Sequence, residues 1–202
     1  MIDSANNFIY IQIPKTATSS ICDSLSNGRK IFPIGWDKVH KLYRQHFTIN
    51  EYIEYEYIPT NYREKYYTFT FVRNPYDRLV SEFFWRKNLH KDFAEITFDD
   101  FVKCSWDEDT QRKCSIRQHI RSMSDYVYDG DKCCVDYVGR YENLQDDFNN
   151  ICDNIGVARS QLKCKNSNFH HDYRCYYNSE LYHIVTTKYS KDLKNFDYAF
   201  DA

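Results

Sequence analysis

The sequence predicts an α/β fold, with a central, mainly parallel sheet flanked by helices in one domain over residues 1–202. Three observations predict it. Runs rich in apolar, β-branched and aromatic residues alternate with stretches of helical period. Two of those runs pass through a short turn directly into a helix start. The chain has 202 residues, enough for one compact domain that buries roughly 70% of its unfolded surface.

The elements follow in order. Phe8–Ile13 (FIYIQI) is nearly continuous in apolar residues, as a strand covered on both faces must be. Pro14 ends it. Thr18, Ser19 and Ser20 offer capping hydroxyls to the helix that follows, and Asn27-Gly28 stops that helix. Thr48-Ile49-Asn50-Glu51 is a capping-box pattern that starts a helix at Ile49. Tyr66–Val72 (YYTFTFV) reads as a second strand. Asn74 caps the next helix and Pro75 occupies its first turn. Tyr76, Leu79, Val80, Phe83 and Phe84 form its apolar stripe. Val135–Val138 is the expected third strand. Leu144, Phe148, Ile151, Cys152 and Ile155 share one face of a helix stopped by Gly156. A last long helix is expected over Ser179 to Leu193, burying Leu181, Ile184 and Val185.

Composition excludes several classes. Aromatic residues make up 18% of the chain, too many for a disordered protein. Only 5 Gly and 4 Pro exclude collagen-like and low-complexity chains. Lys and Arg total 27 against 29 Asp and Glu, a net charge of −2 that disfavours nucleic acid as a partner. No run of 18 apolar residues exists, and Met1 to Asn7 carries no basic, apolar leader. The expectation is therefore a chain without membrane anchor, in the cytoplasm. The eight cysteines form no CxxC pair and are expected to be reduced thiols. Cys164, His170, His171 and Cys175 match no common zinc spacing, so no metal is expected. Oligomeric state is not encoded in any visible pattern.

The chemistry concentrates in the two strand–loop–helix units. In the first, Ile13-Pro14-Lys15-Thr16-Ala17-Thr18-Ser19-Ser20, a buried strand turns into a helix N-terminus. Unsatisfied N–H groups and the positive end of the helix dipole make an anion site there. The hydroxyls of Thr16, Thr18, Ser19 and Ser20 add donors, and Lys15 adds a cation. The segment is not a Walker A loop, because GxxxxGK[ST] is absent. The bland alternative is a Ser/Thr cap beside a surface lysine. In the second unit, Arg73 stands at the end of a strand, where α/β sheets bind ligands, and Ser81 lies six residues past Pro75. Ser81 falls off the apolar stripe, so an Arg fork and a Ser hydroxyl suit a phosphate monoester. Here the alternative is an Arg in a buried salt bridge and a solvated Ser. Arg112, Lys113, Arg117, His119 and Arg121 form a basic cluster best read as a solvated helix face, with an anionic sugar chain or nucleotide as the competing partner.

These residues resemble the PAPS-dependent sulfotransferases, most closely their carbohydrate branch of heparan sulfate 2-O-, chondroitin and dermatan sulfotransferases. IQIPKTATSSI at 11–21 is similar to that family's 5′-phosphosulfate loop, and FVRNPYDRLVSEFFW at 71–85 to its 3′-phosphate motif. HFT at 46–48, VGRYENLQDDF at 138–148 and YSKDLKNFDYAF at 189–200 follow in the family's order. The resemblance implies a P-loop-like three-layer α/β fold and PAPS (3′-phosphoadenosine-5′-phosphosulfate) as donor, without metal. It implies that Pro14 to Ser20, with Ala17 among them, hold the 5′-phosphosulfate, Lys15 steadying the leaving oxygen. It implies Arg73 and Ser81 at the 3′-phosphate, and His46 as general base toward a hydroxyl acceptor, a carbohydrate above all. Two residues before the expected cap Thr48, His46 sits at a helix start that disfavours the imidazolium, which favours it over His40. One departure stands out: the family's Pro-Gln pair upstream of the third strand is replaced by Arg121-Ser122-Met123-Ser124-Asp125-Tyr126. The alternatives are a P-loop kinase-like phosphotransferase, and a non-catalytic module that binds nucleotide and polysaccharide.

Overall fold

The computed structural model describes residues 1–30, 32–89, 93–113, 115–163 and 170–201. Cys164 lies outside them. Backbone proximity divides the chain into two units, Met1–Val72 with Met123–Asn166, and Arg73–Ser122 with Ser167–Ala202.

The first unit holds the sheet. Its strands are β1 (Ile2–Asp3), β2 (Phe8–Ile11), β5 (Tyr67–Val72) and β8 (Tyr137–Arg140), in the order β1-β2-β5-β8. β2 pairs with β5 in parallel, and β5 with β8 in parallel, while β1 adds an antiparallel edge. The architecture is thus mixed α/β with a mostly parallel central sheet flanked by helices. All four residues of β2 are buried, which is why its sequence shows no polar alternation.

All three expected strands differ in their limits, β5 only by starting at Tyr67 rather than Tyr66. β2 ends at Ile11 rather than Ile13, because the Ile13 amide turns back to the Ile11 carbonyl at 3.2 Å. The third strand is Tyr137–Arg140, not Val135–Val138. Asp136 explains the shift. Its carboxylate takes the Thr68 amide and hydroxyl at 2.8 Å each, pinning the chain to β5 before the ladder begins at Phe69↔Tyr137. Within that ladder Gly139 faces Phe71, and a Cβ at residue 139 would stand 2.6 Å from the Phe71 ring.

Helices α1 (Thr18–Ser26) and α8 (Leu144–Ile155) pack on the sheet through one core. Phe8, Tyr10, Phe69 and Phe71 from the strands meet Ile21, Cys22 and Leu25 of α1 and Phe148, Ile151 and Cys152 of α8. Asn27 and Gly156 close these helices in the left-handed conformation, as their residue types require. α2 (Ile49–Glu54) carries the full capping box, with the Glu51 amide on the Thr48 hydroxyl and the Thr48 amide on the Glu51 carboxylate. A two-stranded hairpin of β3 (Trp36–Asp37) and β4 (Leu42–Tyr43) precedes it.

The second unit is helical. α3 (Pro75–Leu89), α4 (Phe98–Cys104), α5 (Glu108–Lys113) and α6 (Arg117–Ile120) are followed by α9 (Ser179–Lys188) and α10 (Ser190–Asn195). Between them in sequence, in the first unit, lie α7 (Ser124–Val127) and the hairpin of β6 (Tyr128–Asp129) and β7 (Lys132–Cys133). The expected single helix over Ser179 to Leu193 is two helices, broken where Tyr189 leaves helical geometry at φ −107°, ψ 22°. Tyr189 is buried and its hydroxyl donates to the Ile120 carbonyl at 2.9 Å, which fixes the break.

α3 departs from a simple amphipathic helix, because its polar side is buried too. Arg78 is 1% exposed and donates to the carbonyls of Arg121 and His119. Glu82 binds Arg86 at 2.6 Å and the His119 ring at 2.9 Å. The expected solvated basic face is therefore not one surface. His119 and the Arg121 backbone turn inward, Arg112 pairs with Asp109, and Arg117 stays exposed. Among the described residues no helix is long and apolar enough to cross a membrane.

Candidate active site

The turn leaving β2 is built around two left-handed residues that are not glycine. Lys15 has φ 70° and Ala17 φ 64°, while Thr16 between them does not share that conformation. Each such residue costs about 1–3 kcal/mol and persists where the surroundings over-determine it. The Thr16 hydroxyl donates to the Ile13 carbonyl at 2.9 Å and closes the turn from within. Alternating backbone handedness of this kind points successive N–H groups into one concavity, a binding arrangement for anions. It opens directly onto α1, whose N-terminal N–H groups and dipole add to the same field.

The cap itself differs from the sequence reading. Ala17, with no side-chain hydrogen bond, is the N-cap, and Thr18, Ser19 and Ser20 form the first helical turn. Pro14, Thr16 and Ser20 are buried, Lys15, Ala17 and Thr18 half-buried, and Ser19 exposed.

His46 ends a short 3₁₀ turn, Arg44–His46, two residues before Thr48. Its Nδ1 lies 2.8 Å from the Gln12 carbonyl. A carbonyl only accepts, so Nδ1 carries the hydrogen, and in the neutral form of the ring the lone pair is on Nε2. The same Gln12 is 4% exposed, and its side-chain Nε2 makes no hydrogen bond among the described residues. The first unit thus brings together the 14–20 turn and His46 through one residue, Gln12, which the sequence reading did not select. Its signal was a lone polar residue inside the FIYIQI run. His40 is engaged elsewhere, its ring 3.6 Å from that of Tyr55 and 3.2 Å from Asp37 Oδ1.

β2 and β5 are parallel neighbours with Ile11 opposite Thr70, so their C-terminal ends lie at one edge of the sheet. Arg73 is the residue after Val72 of β5. In the second unit Arg73 is buried at 7% exposure, with Nε on Asp77 Oδ2 at 2.7 Å. Asp77 in turn lies 3.5 Å from His170 Nε2. Asp77 was also overlooked, although its i,i+4 spacing from Arg73 was visible. Asn74 caps α3 as expected, accepting the Tyr76 amide at 3.1 Å. Ser81 is buried at 7% exposure on the same helix rather than solvated. Among the described residues no cluster of three or more His, Cys, Asp or Glu side chains is arranged to hold a metal ion.

Comparison with known proteins bears on the family. The sequence model of the sulfotransferase family matches residues 1–199. Carbohydrate sulfotransferase 11 of Danio rerio is 28% identical over 196 residues, covering 79% of this chain and 53% of that protein. The Mus musculus protein of the same name is 27% identical over 194 residues, covering 78% and 53%. An uncharacterized protein of Archaeoglobus fulgidus is 33% identical over 92 residues, 46% of this chain and 69% of its own. The chain thus spans about half the length of the two named relatives it matches. With a family match that runs almost from end to end, this chain belongs to the sulfotransferase family.

Proposed function

We propose that this chain transfers a sulfuryl group from PAPS to a hydroxyl of a carbohydrate, residues 1–202 acting as one catalytic domain of P-loop-like three-layer type. The observation that carries the reading is the strained turn at Lys15 and Ala17 opening onto α1, with His46 held by the adjoining Gln12 carbonyl. The turn suits the donor's anionic end. It combines backbone N–H groups, first-turn hydroxyls and a lysine, and beside it lies a buried amide N–H at Gln12 without a partner among the described residues.

The donor, when bound, supplies a sulfuryl group on a phosphate leaving group. The N–H groups from Thr16 to Ser20, with Pro14 shaping the turn and Ala17 setting its handedness, hold the 5′ end. The Lys15 ammonium stabilises the phosphate oxygen as the sulfur–oxygen bond to it breaks. His46 Nε2 takes the proton of the acceptor hydroxyl as its oxygen bonds to sulfur. Arg73 and Ser81 hold the 3′-phosphate, with Asp77 orienting the guanidinium. Positioning and charge stabilisation supply most of the rate, so no metal is required.

The test is transfer of radiolabelled sulfate from PAPS to a panel of glycans and small phenols, with and without EDTA. Labelled glycan formed in the presence of EDTA is the expected result. No transfer to any acceptor, or turnover that requires magnesium and ATP, overturns the reading.

A further inference from the structure

The β3–β4 hairpin buries little and exposes apolar groups. Trp36 is 41% exposed, Tyr43 37% and Val39, at the tip, 81%. Apolar residues scattered singly over a surface are ordinary, but a cluster on one small element marks a contact site. Trp36 and Tyr43 are directly opposed across the hairpin, with ring centroids 5.0 Å apart at 73°. They form an L-shaped aromatic surface open to solvent.

The hairpin is held firmly for its size. The Asp37 carboxylate accepts the amides of Val39 and His40 at 2.9 and 3.0 Å and Arg44 Nε at 3.1 Å. His40 stacks on Tyr55 beneath it. The base is strapped to the turn that carries His46. The Arg44 amide donates to the Gly35 carbonyl at 2.9 Å, and the Gly35 amide to Gln45 Oε1 at 3.0 Å. The aromatic surface therefore has a fixed relation to the imidazole three residues past Tyr43.

The charge of this surface runs against that of the chain. Asp37 answers Arg44, but Lys38 and Lys41 are exposed and pair with no carboxylate among the described residues. On a chain of net charge −2 this is a local positive patch beside aromatic rings. Ring faces take the C–H faces of sugars, and ammonium groups take carboxylate or sulfate substituents. A second copy of the chain fits worse, because a two-fold contact through this patch sets lysines against lysines.

We propose that the hairpin over residues 36–43 docks an anionic glycan, Trp36 and Tyr43 stacking on its rings and Lys38 and Lys41 meeting its acidic groups, so that a hydroxyl is offered to His46. This rests on the reading of His46 as the base.

Binding of a uronate-containing polysaccharide, and of a neutral polysaccharide as control, to the full chain tests it by calorimetry, with adenosine 3′,5′-bisphosphate titrated in parallel. The variants are Lys38→Glu/Lys41→Asp, which touch exposed side chains only and suit the left-handed backbone at Lys41, and Trp36→Ala. The wild type is expected to prefer the acidic polymer, more weakly as salt rises. Each variant is expected to lose at least tenfold in that affinity, with nucleotide affinity unchanged. Acidic polymer bound equally by wild type and variants overturns the proposal, as does a wild-type dimer that Trp36→Ala dissociates without change in glycan affinity. Failure of the wild type to bind the nucleotide instead strikes the sulfotransferase mechanism, and leaves the glycan arm readable on its own.

Discussion

Replacing His46 by asparagine separates its two roles. The Asn side-chain N–H sits where Nδ1 does and preserves the 2.8 Å bond to the Gln12 carbonyl, while the Nε2 lone pair is lost. A positioned general base contributes about 10²–10⁴-fold, which corresponds to about 2.7–5.4 kcal/mol of barrier. The bond to Gln12 is worth about 0.5–1.5 kcal/mol of stability. His46→Ala loses both, so its melting temperature should fall by about 1–6 °C, whereas His46→Asn should melt near the wild type. Turnover is measured with labelled PAPS, and nucleotide affinity by calorimetry. Both variants should bind nucleotide normally and lose at least a hundredfold in kcat. His46→Asn retaining kcat within tenfold of the wild type would refute the assignment of Nε2 as base.

Three further outcomes follow from the packing and the charges. Gly139→Ala forces a methyl to within 2.6 Å of the Phe71 ring and should destabilise by about 1–3 kcal/mol in a thermal melt; an unchanged melting temperature would show that Phe71 moves freely. Gln12→Met removes a buried N–H that has no partner among the described residues and should stabilise the unliganded protein by about 1–3 kcal/mol; a lower melting temperature would mean that the amide is satisfied. Asp37 is held at about 2 by the His40 amide, with Arg44 and the Val39 amide assisting. Its folded value lies below the unfolded one, near 3.9, so its stabilisation is complete above the unfolded value and lost as pH falls toward 2. Melting curves of wild type and Asp37→Asn should differ at pH 6 and converge near pH 2.

Much of the frame was legible because local chemistry and tertiary structure agreed. The capping box at Thr48, Pro75 after Asn74, and the Asn27 and Gly156 stops encode backbone conformations in single residues. What was not legible depended on distant partners. Asp136 moves the third strand two residues by binding Thr68, a contact over 68 positions. Glu82 and His119 are 37 residues apart, so periodicity assigns both to solvent. The helix break at Tyr189 interrupts no apolar pattern, because Leu193 continues the stripe. In the candidate site, the chemistry of the PKTATSS turn was readable, but its handedness was not. Lys15 and Ala17 are unusual left-handed residues, in a turn that the Thr16–Ile13 bond closes. Gln12 escaped notice because its role toward His46 runs through a backbone carbonyl, which every residue possesses.

Thiol reactivity checks the packing of α1. Burial pushes the Cys22 thiol up to about 11, so it should resist maleimide at pH 7.5 in the native protein while exposed Cys175 reacts. Equal labelling rates at both positions would contradict the core formed by α1 and β2.

Calorimetric titration with adenosine 3′,5′-bisphosphate bears most directly on the proposed chemistry. Wild type should bind without added metal, and Lys15→Ala and Arg73→Ala should each weaken binding by about 10–150-fold, the loss of a charged hydrogen bond of about 1.5–3 kcal/mol. No heat of binding at high micromolar nucleotide, or both variants binding as tightly as the wild type, would contradict it.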